Sequence, residues 1–149
     1  MINSKWQILL GVSIIIVAVL LGSRMISPAH PAKIHRVVFE VTTDNPEQWT
    51  ATLNNIENLQ KAFGKEQREM EVVAHGKGLD LLLKTNLSTG DRITTIANTG
   101  VRFAACENSM KHMHRTSEDL LPAAQTVDSG VAEVVRKQEA GWAYLKSGS

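Results

Sequence analysis

The chain of 149 residues holds a single cysteine, Cys106. An intramolecular disulfide is thereby excluded, as is any zinc or iron–sulfur centre that one chain would build from several thiolates. Excess charge is missing too. The formal net charge is +1 and the 16 Lys and Arg residues are scattered rather than gathered into a stripe, so nucleic acid is not an implied partner. No internal repeat and no low-complexity tract is visible. Length and an ordinary composition fit one compact domain with a short appendage.

The appendage opens the chain. From Trp6 to Gly22 the run WQILLGVSIIIVAVLLG is apolar except for Gln7 and Ser13, with Lys5 before it and Arg24 after it. A membrane crossing wants about 17–25 residues, whereas a cleavable signal has an apolar centre of about 7–15. Ser27-Pro28-Ala29 offers small residues for cleavage, but Ala-x-Ala is absent. The expectation is an uncleaved anchor, or else a signal peptide, over residues 1–23. A buried core helix is disfavoured because no polar stripe is left to face water. Lys33 and Arg36 balance the positive charge ahead of the run, so the positive-inside rule does not decide orientation. The very short leader places the remainder on the extracytoplasmic, periplasmic side of the inner membrane. Residues 24–33, with Pro28 and Pro31, read as a tether, and the domain proper is expected over residues 34–147.

Within that domain strand and helix signals alternate. Ile34 to Thr42 reads as a strand. Asp44-Asn45-Pro46-Glu47 announces a helix through a cap, a proline near its first position and an early acid. Trp49, Leu53, Ile56, Leu59 and Phe63 share one face of it, and Gly64 ends it. A second strand spans Met70 to His75, the turn Gly76-Lys77-Gly78 follows, and Leu79, Leu81, Leu82 and Leu83 suggest a short apolar helix. Thr89-Gly90-Asp91 starts another helix, with Ile93, Ile96 and Ala97 on one face. Val101 to Cys106 is a third strand with a short helix directly after it. Gln125 to Asp128 is a fourth strand, Val131 to Ala140 a helix stopped by Gly141, and Trp142 to Lys146 a last strand.

Such alternation implies an α/β fold of three layers, a mostly parallel five-stranded sheet with helices on both faces, preceded by one N-terminal apolar helix. Ligands of such sheets gather beyond the carboxyl ends of the strands. Three strands end in polar or reactive residues: Thr42-Thr43-Asp44-Asn45, His75 and Cys106. In a parallel sheet these ends lie on one edge. Cys106 in particular falls where a strand hands over to a helix N-terminus, whose free N–H groups and dipole favour a thiolate below its free pKa of about 8.5. The plainer account is a small buried hydrophobe among Phe103, Ala104 and Ala105.

The segments Val72-Val73-Ala74-His75-Gly76, Gly100 to Met110 (GVRFAACENSM), Glu118-Asp119-Leu120-Leu121-Pro122, Ser129 to Val135 (SGVAEVV) and Gly141 to Lys146 (GWAYLK) resemble, in their order and spacing, the DsrE/DsrF-like family. The resemblance runs from about Ile34 to Lys146. It implies a small α/β domain assembled into trimers or hexamers. It also implies a persulfide carried on the strand-end cysteine, here Cys106, in a relay between sulfur donors and acceptors, whether proteins or small sulfane compounds. No cofactor is implied.

A thiolate at Cys106, favoured by the backbone N–H groups of Glu107 and Asn108, would take sulfane sulfur and hand it to an acceptor thiol. His75 is the candidate base or imidazolium partner, set against the plain alternative of a strand-end histidine bound to a backbone carbonyl. Asp44, Asn45 and Asn108 are binding candidates. A second hypothesis is soft-metal binding. Met110, Met113 and His114 lie four, seven and eight positions beyond Cys106 on an expected helix and with it form a set suited to Cu(I), although methionines at helical spacing are commonly core. A third is a membrane-tethered oligomeric binding module without catalysis, using the aromatic area of Trp49, Trp142 and Tyr144.

Overall fold

Residues 33–147 are described in the computed structural model. The expected anchor at residues 1–23, and all of the tether but Lys33, lie outside the described residues. Among those described, no helix is long and apolar enough to cross a membrane.

Strand β1 (His35–Val41) buries Val37, Val38, Phe39 and Val41, and β2 (Arg68–Ala74) buries Met70, Val72, Val73 and Ala74. Apolar residues of both parities mark strands covered on two faces, as parallel sheets require. β3 (Arg102–Cys106) continues the pattern, while β4 (Ala124–Val127) and β5 (Ala143–Lys146) are the more exposed edges. The five strands form one sheet in the order β4-β3-β2-β1-β5, and every neighbouring pair is parallel.

Most of the core lies on one face. Helix α1 (Pro46–Ala62) starts with Asn45 as its cap, the side-chain oxygen accepting from the Glu47 N–H at 2.9 Å, and buries Trp49, Leu53 and Ile56. Helices α2 (Gly90–Ala97) and α3 (Glu107–His112) share that side, packing Ile93, Ile96 and Met110 against Phe39, Val72 and Phe103. Across the sheet, α4 (Gly130–Glu139) sets Val134 on Val38, Val73 and Ala104. Under α4 the buried carboxylate of Glu71 pairs with Arg102 and with Lys137 at 2.7 Å, and the Lys137 ammonium also stands 4.4 Å from the Trp142 ring.

The three layers and the parallel sheet are as expected. Two local readings are sharpened. The short apolar helix expected after β2 is present as a 3₁₀ helix that begins already at Gly76 and runs to Leu82. Gly78 must sit so close to β1 that a Cβ there would fall 2.0 Å from the Val41 carbonyl oxygen, and the tight i→i+3 bond from the Gly78 N–H to the His75 carbonyl (3.0 Å) holds it there. Helix α3 stops at His112, and His114 takes a positive φ of 53°.

The connections after β3 and β4 diverge. Helix α3 leaves β3 on the α1 side and α4 leaves β4 on the opposite side. A crevice between two such strand ends is where open α/β sheets hold ligands. Cys106 and Val127 are the register pair at that point.

Candidate functional site around Cys106 and His75

Side chains alternate across a strand. Since Phe103 and Ala105 face the α1 side and Ala104 faces α4, Cys106 turns toward α4. The same parity on β2, with Val73 facing α4, sends His75 to that side, and on β1 Val38 does so for Glu40. Ala74 pairs with Ala105 as the last residues in register. His75 and Cys106 each follow that pair by one residue, and the start of α4 touches both, the Gly130 N–H serving the sulfur and its α-carbon lying over the imidazole side chain. The sheet thus brings Cys106, His75 and Glu40 to one face at one edge.

Helix starts surround the sulfur. Cys106 is itself the cap of α3 and accepts from the Ser109 N–H at 3.5 Å. On α4, Ser129 is the cap and Gly130 the first residue. Burial is the largest influence on the Cys106 thiol and pushes it up. The Ser109 hydroxyl and the N–H groups of Gly130, Ser109 and Asn108 outweigh it, and hold the thiol below its ordinary value. Ser109 can give its proton to sulfur because its oxygen already accepts from the Gly76 N–H at 2.8 Å. Gly76 reaches that position with a φ of +55°, which glycine adopts freely. Cys106 as a residue is 4% exposed. Gly76, Lys77, Asn108, Ser109, His112 and Met113 line a cleft of about 380 Å³, of which Cys106 itself is not a lining residue.

His75 is held from the far side. Its Nε2 lies 2.8 Å from Oε1 of Glu40, whose Oε2 accepts from the Tyr144 hydroxyl on β5. Burial again is the largest influence on the Glu40 carboxyl and pushes it up. The Tyr144 and His75 hydrogen bonds, with the electrostatic influence of His75 and Lys146, overcome this and keep it below the usual carboxylate range. The same bond pushes the Tyr144 hydroxyl up to about 12. Gly130 closes the arrangement over the imidazole, leaving no room there for a side chain.

The other sequence candidates fall in different places. The Asn108 N–H serves Cys106, and its exposed side chain borders the cleft. Asn45 caps α1, and Asp44 forms a solvent-exposed pair with Lys77 at 3.4 Å. The members of the soft-metal set have separate surroundings. Met110 is buried in the α1-side core with Met113 packed against it, and His114 lies beyond the end of α3. Among the described residues no cluster of three His, Cys, Asp or Glu stands ready for a metal ion. Glu40, Ser109, Gly130 and the phenol of Tyr144 are additions that sequence reasoning did not single out. A charged residue at the α4-facing parity of the apolar β1 run, and a serine three residues beyond the cysteine, are the signals that point to the first two.

The family model for the DsrE/DsrF-like family matches residues 36–147, and the chain belongs to that family. Among solved structures it is similar to the protein of unknown function MTH1491 from Methanobacterium thermoautotrophicum. The two are 32% identical, the match covers 75% of this chain and 98% of that one, and the TM-score is 0.71. No curated protein matches the chain.

Proposed function

We propose that this DsrE/DsrF-like chain carries sulfur as a persulfide on Cys106. The observation that carries the reading is the environment of that sulfur, with amide donors from the starts of two helices, the Ser109 hydroxyl behind it and His75 in the neighbouring strand position. The chemistry needs no external oxidant. The Cys106 thiolate attacks the outer sulfur of a sulfane donor such as thiosulfate. An S–S bond forms on Cys106, the donor's S–S bond breaks, and sulfite leaves with that bond's electron pair. An acceptor thiolate then attacks the carried sulfur and Cys106 departs as thiolate. Through this exchange His75 holds or releases the proton that separates thiol from thiolate. Donor and acceptor are small sulfane compounds or partner proteins, and assembly as a homotrimer or homohexamer is part of the same proposal. The apolar run at residues 6–22 supports placing the domain on the extracytoplasmic side of a membrane.

Intact mass after incubation with thiosulfate or polysulfide tests the carrier role. The expected result is a gain of one or more sulfur atoms that a reductant removes and that Cys106→Ser abolishes. An unchanged mass overturns it. The 4% exposure of Cys106 favours a second reading, a binding module without turnover in which the thiol only packs. Full function of Cys106→Ser in a sulfur-transfer assay would decide for that module.

A further inference from the structure

We infer that Glu40 and Tyr144 are positioning residues that fix His75 as the proton acceptor for Cys106. The inference rests on the carrier reading above and deepens it.

The geometry is a chain of three side chains from three strands. Tyr144 on β5 donates to Glu40 on β1, and Glu40 faces Nε2 of His75 just past β2. A carboxylate oxygen only accepts, so Nε2 must carry the ring proton in this pair. In the neutral ring Nδ1 then keeps its lone pair. Gly130 packs against Cβ, Cγ and Cδ2 of the same ring and prevents it from swinging toward α4. Ring and orientation are thus set before any substrate arrives, one residue beyond the last register pair of β2 and β3 and under the same Gly130 that donates to Cys106. When the thiol ionises its proton passes to Nδ1, and the resulting imidazolium keeps its Nε2–H on Glu40. No electrons move in this step. Tyr144 acts on Glu40 alone, keeping its second oxygen occupied so that the carboxylate does not rotate away from His75. The groups facing Glu40 are His75, Tyr144 and Lys146, its register partner on β5.

The chain suits a direct test, because it has one tyrosine and one cysteine. Ultraviolet difference titration reports Tyr144 and thiolate absorbance reports Cys106, each free of overlap from a second residue of its kind. Tyr144 should ionise at about 12 and return towards about 10 in Glu40→Gln. The rate of Cys106 alkylation at neutral pH should fall about tenfold or more in Glu40→Gln, with its pH profile displaced upward. Tyr144→Phe, which keeps the ring and removes only the hydroxyl, should show a smaller fall of the same sign. In a His75→Gln background Glu40→Gln should add nothing, since the residue it positions is gone. Unchanged alkylation profiles in both Glu40→Gln and Tyr144→Phe, or an additive loss in the double variant, would overturn the inference. The carrier reading fails separately. If the profiles shift as expected while the wild-type chain gains no sulfur mass, positioning stands and persulfide carriage falls.

Discussion

Gly130 lies so close over His75 that a methyl group on its α-carbon would stand 2.7 Å from Cβ of the imidazole side chain and 3.0 Å from Cγ. Neither atom is the far end of a flexible side chain, so the ring or the start of α4 must give way. Gly130→Ala is expected to cost about 1–3 kcal/mol of stability, as overpacking does. It should also slow Cys106 alkylation by moving both the ring and the Gly130 N–H. Urea unfolding and iodoacetamide kinetics on the same sample check the two effects. An alanine variant with wild-type values in both would show that the contact has no role.

Ser109 links Gly76 to Cys106, accepting from the Gly76 N–H at 2.8 Å and donating to the sulfur. Ser109→Ala removes a donor to the thiolate and leaves the thiol harder to ionise. Alkylation near pH 7 should slow roughly threefold or more. The Gly76 N–H is exposed and finds water, so stability should change by about 1 kcal/mol or less. Ser109→Thr, which keeps the hydroxyl, should restore most of the rate. If it does not, crowding rather than the hydrogen bond is responsible.

Much of this arrangement was legible in the sequence because it follows from local patterns. Apolar residues of both parities in β1 and β2 and the Asn45-Pro46-Glu47 start of α1 depend on near neighbours alone. So does the position of Cys106 between a strand and a helix start. Part of what escaped was long-range. Tyr144 and Glu40 are 104 residues apart, and only the return of β5 to the side of β1 brings them together. The Met110, Met113 and His114 grouping assumed a continuous helix of more than two turns. The Arg115 N–H instead closes on the Met110 carbonyl at 2.8 Å, and α3 ends after six residues. The leucines after Gly78 have helical spacing, yet the contact of that glycine with the Val41 carbonyl, invisible in spacing, selects the tighter 3₁₀ form.

Acid should weaken the fold in a defined window. Glu40, Glu57, Asp119 and Glu133 are held below their ordinary values, and the guanidinium of Arg136 takes Asp128 down to about 2. The unfolded chain then binds protons first, at about 3.9–4.3, so these groups favour the folded state above that range and cease to do so as pH falls through their folded values. The urea midpoint should stay level from about pH 7 to 5 and decline below about 4.5. Asp128→Asn should flatten the lowest part of that decline. Tyr144 works in the opposite sense. Its raised value of about 12 favours folding below pH 10 or so, and the benefit disappears as pH climbs through 12.

The buried carboxylate of Glu71 offers the sharpest test of the packing under α4. Its side chain is 3% exposed and depends on Lys137, itself 12% exposed, and on the half-exposed Arg102. Lys137→Met keeps the stem beside Trp142 but leaves a buried negative charge with one partner that faces water. Because an uncompensated charge costs more than an intact pair contributes, a loss of about 2–4 kcal/mol is expected, near the lower end for breaking a buried ion pair. Glu71→Gln alone leaves the Lys137 ammonium under α4 with Glu133 at 3.4 Å and should cost less. In the double variant both charges are gone, so the losses should fall short of their sum by about 1 kcal/mol or more in a urea-unfolding cycle. Additive losses would mean that Arg102, and not Lys137, neutralises Glu71.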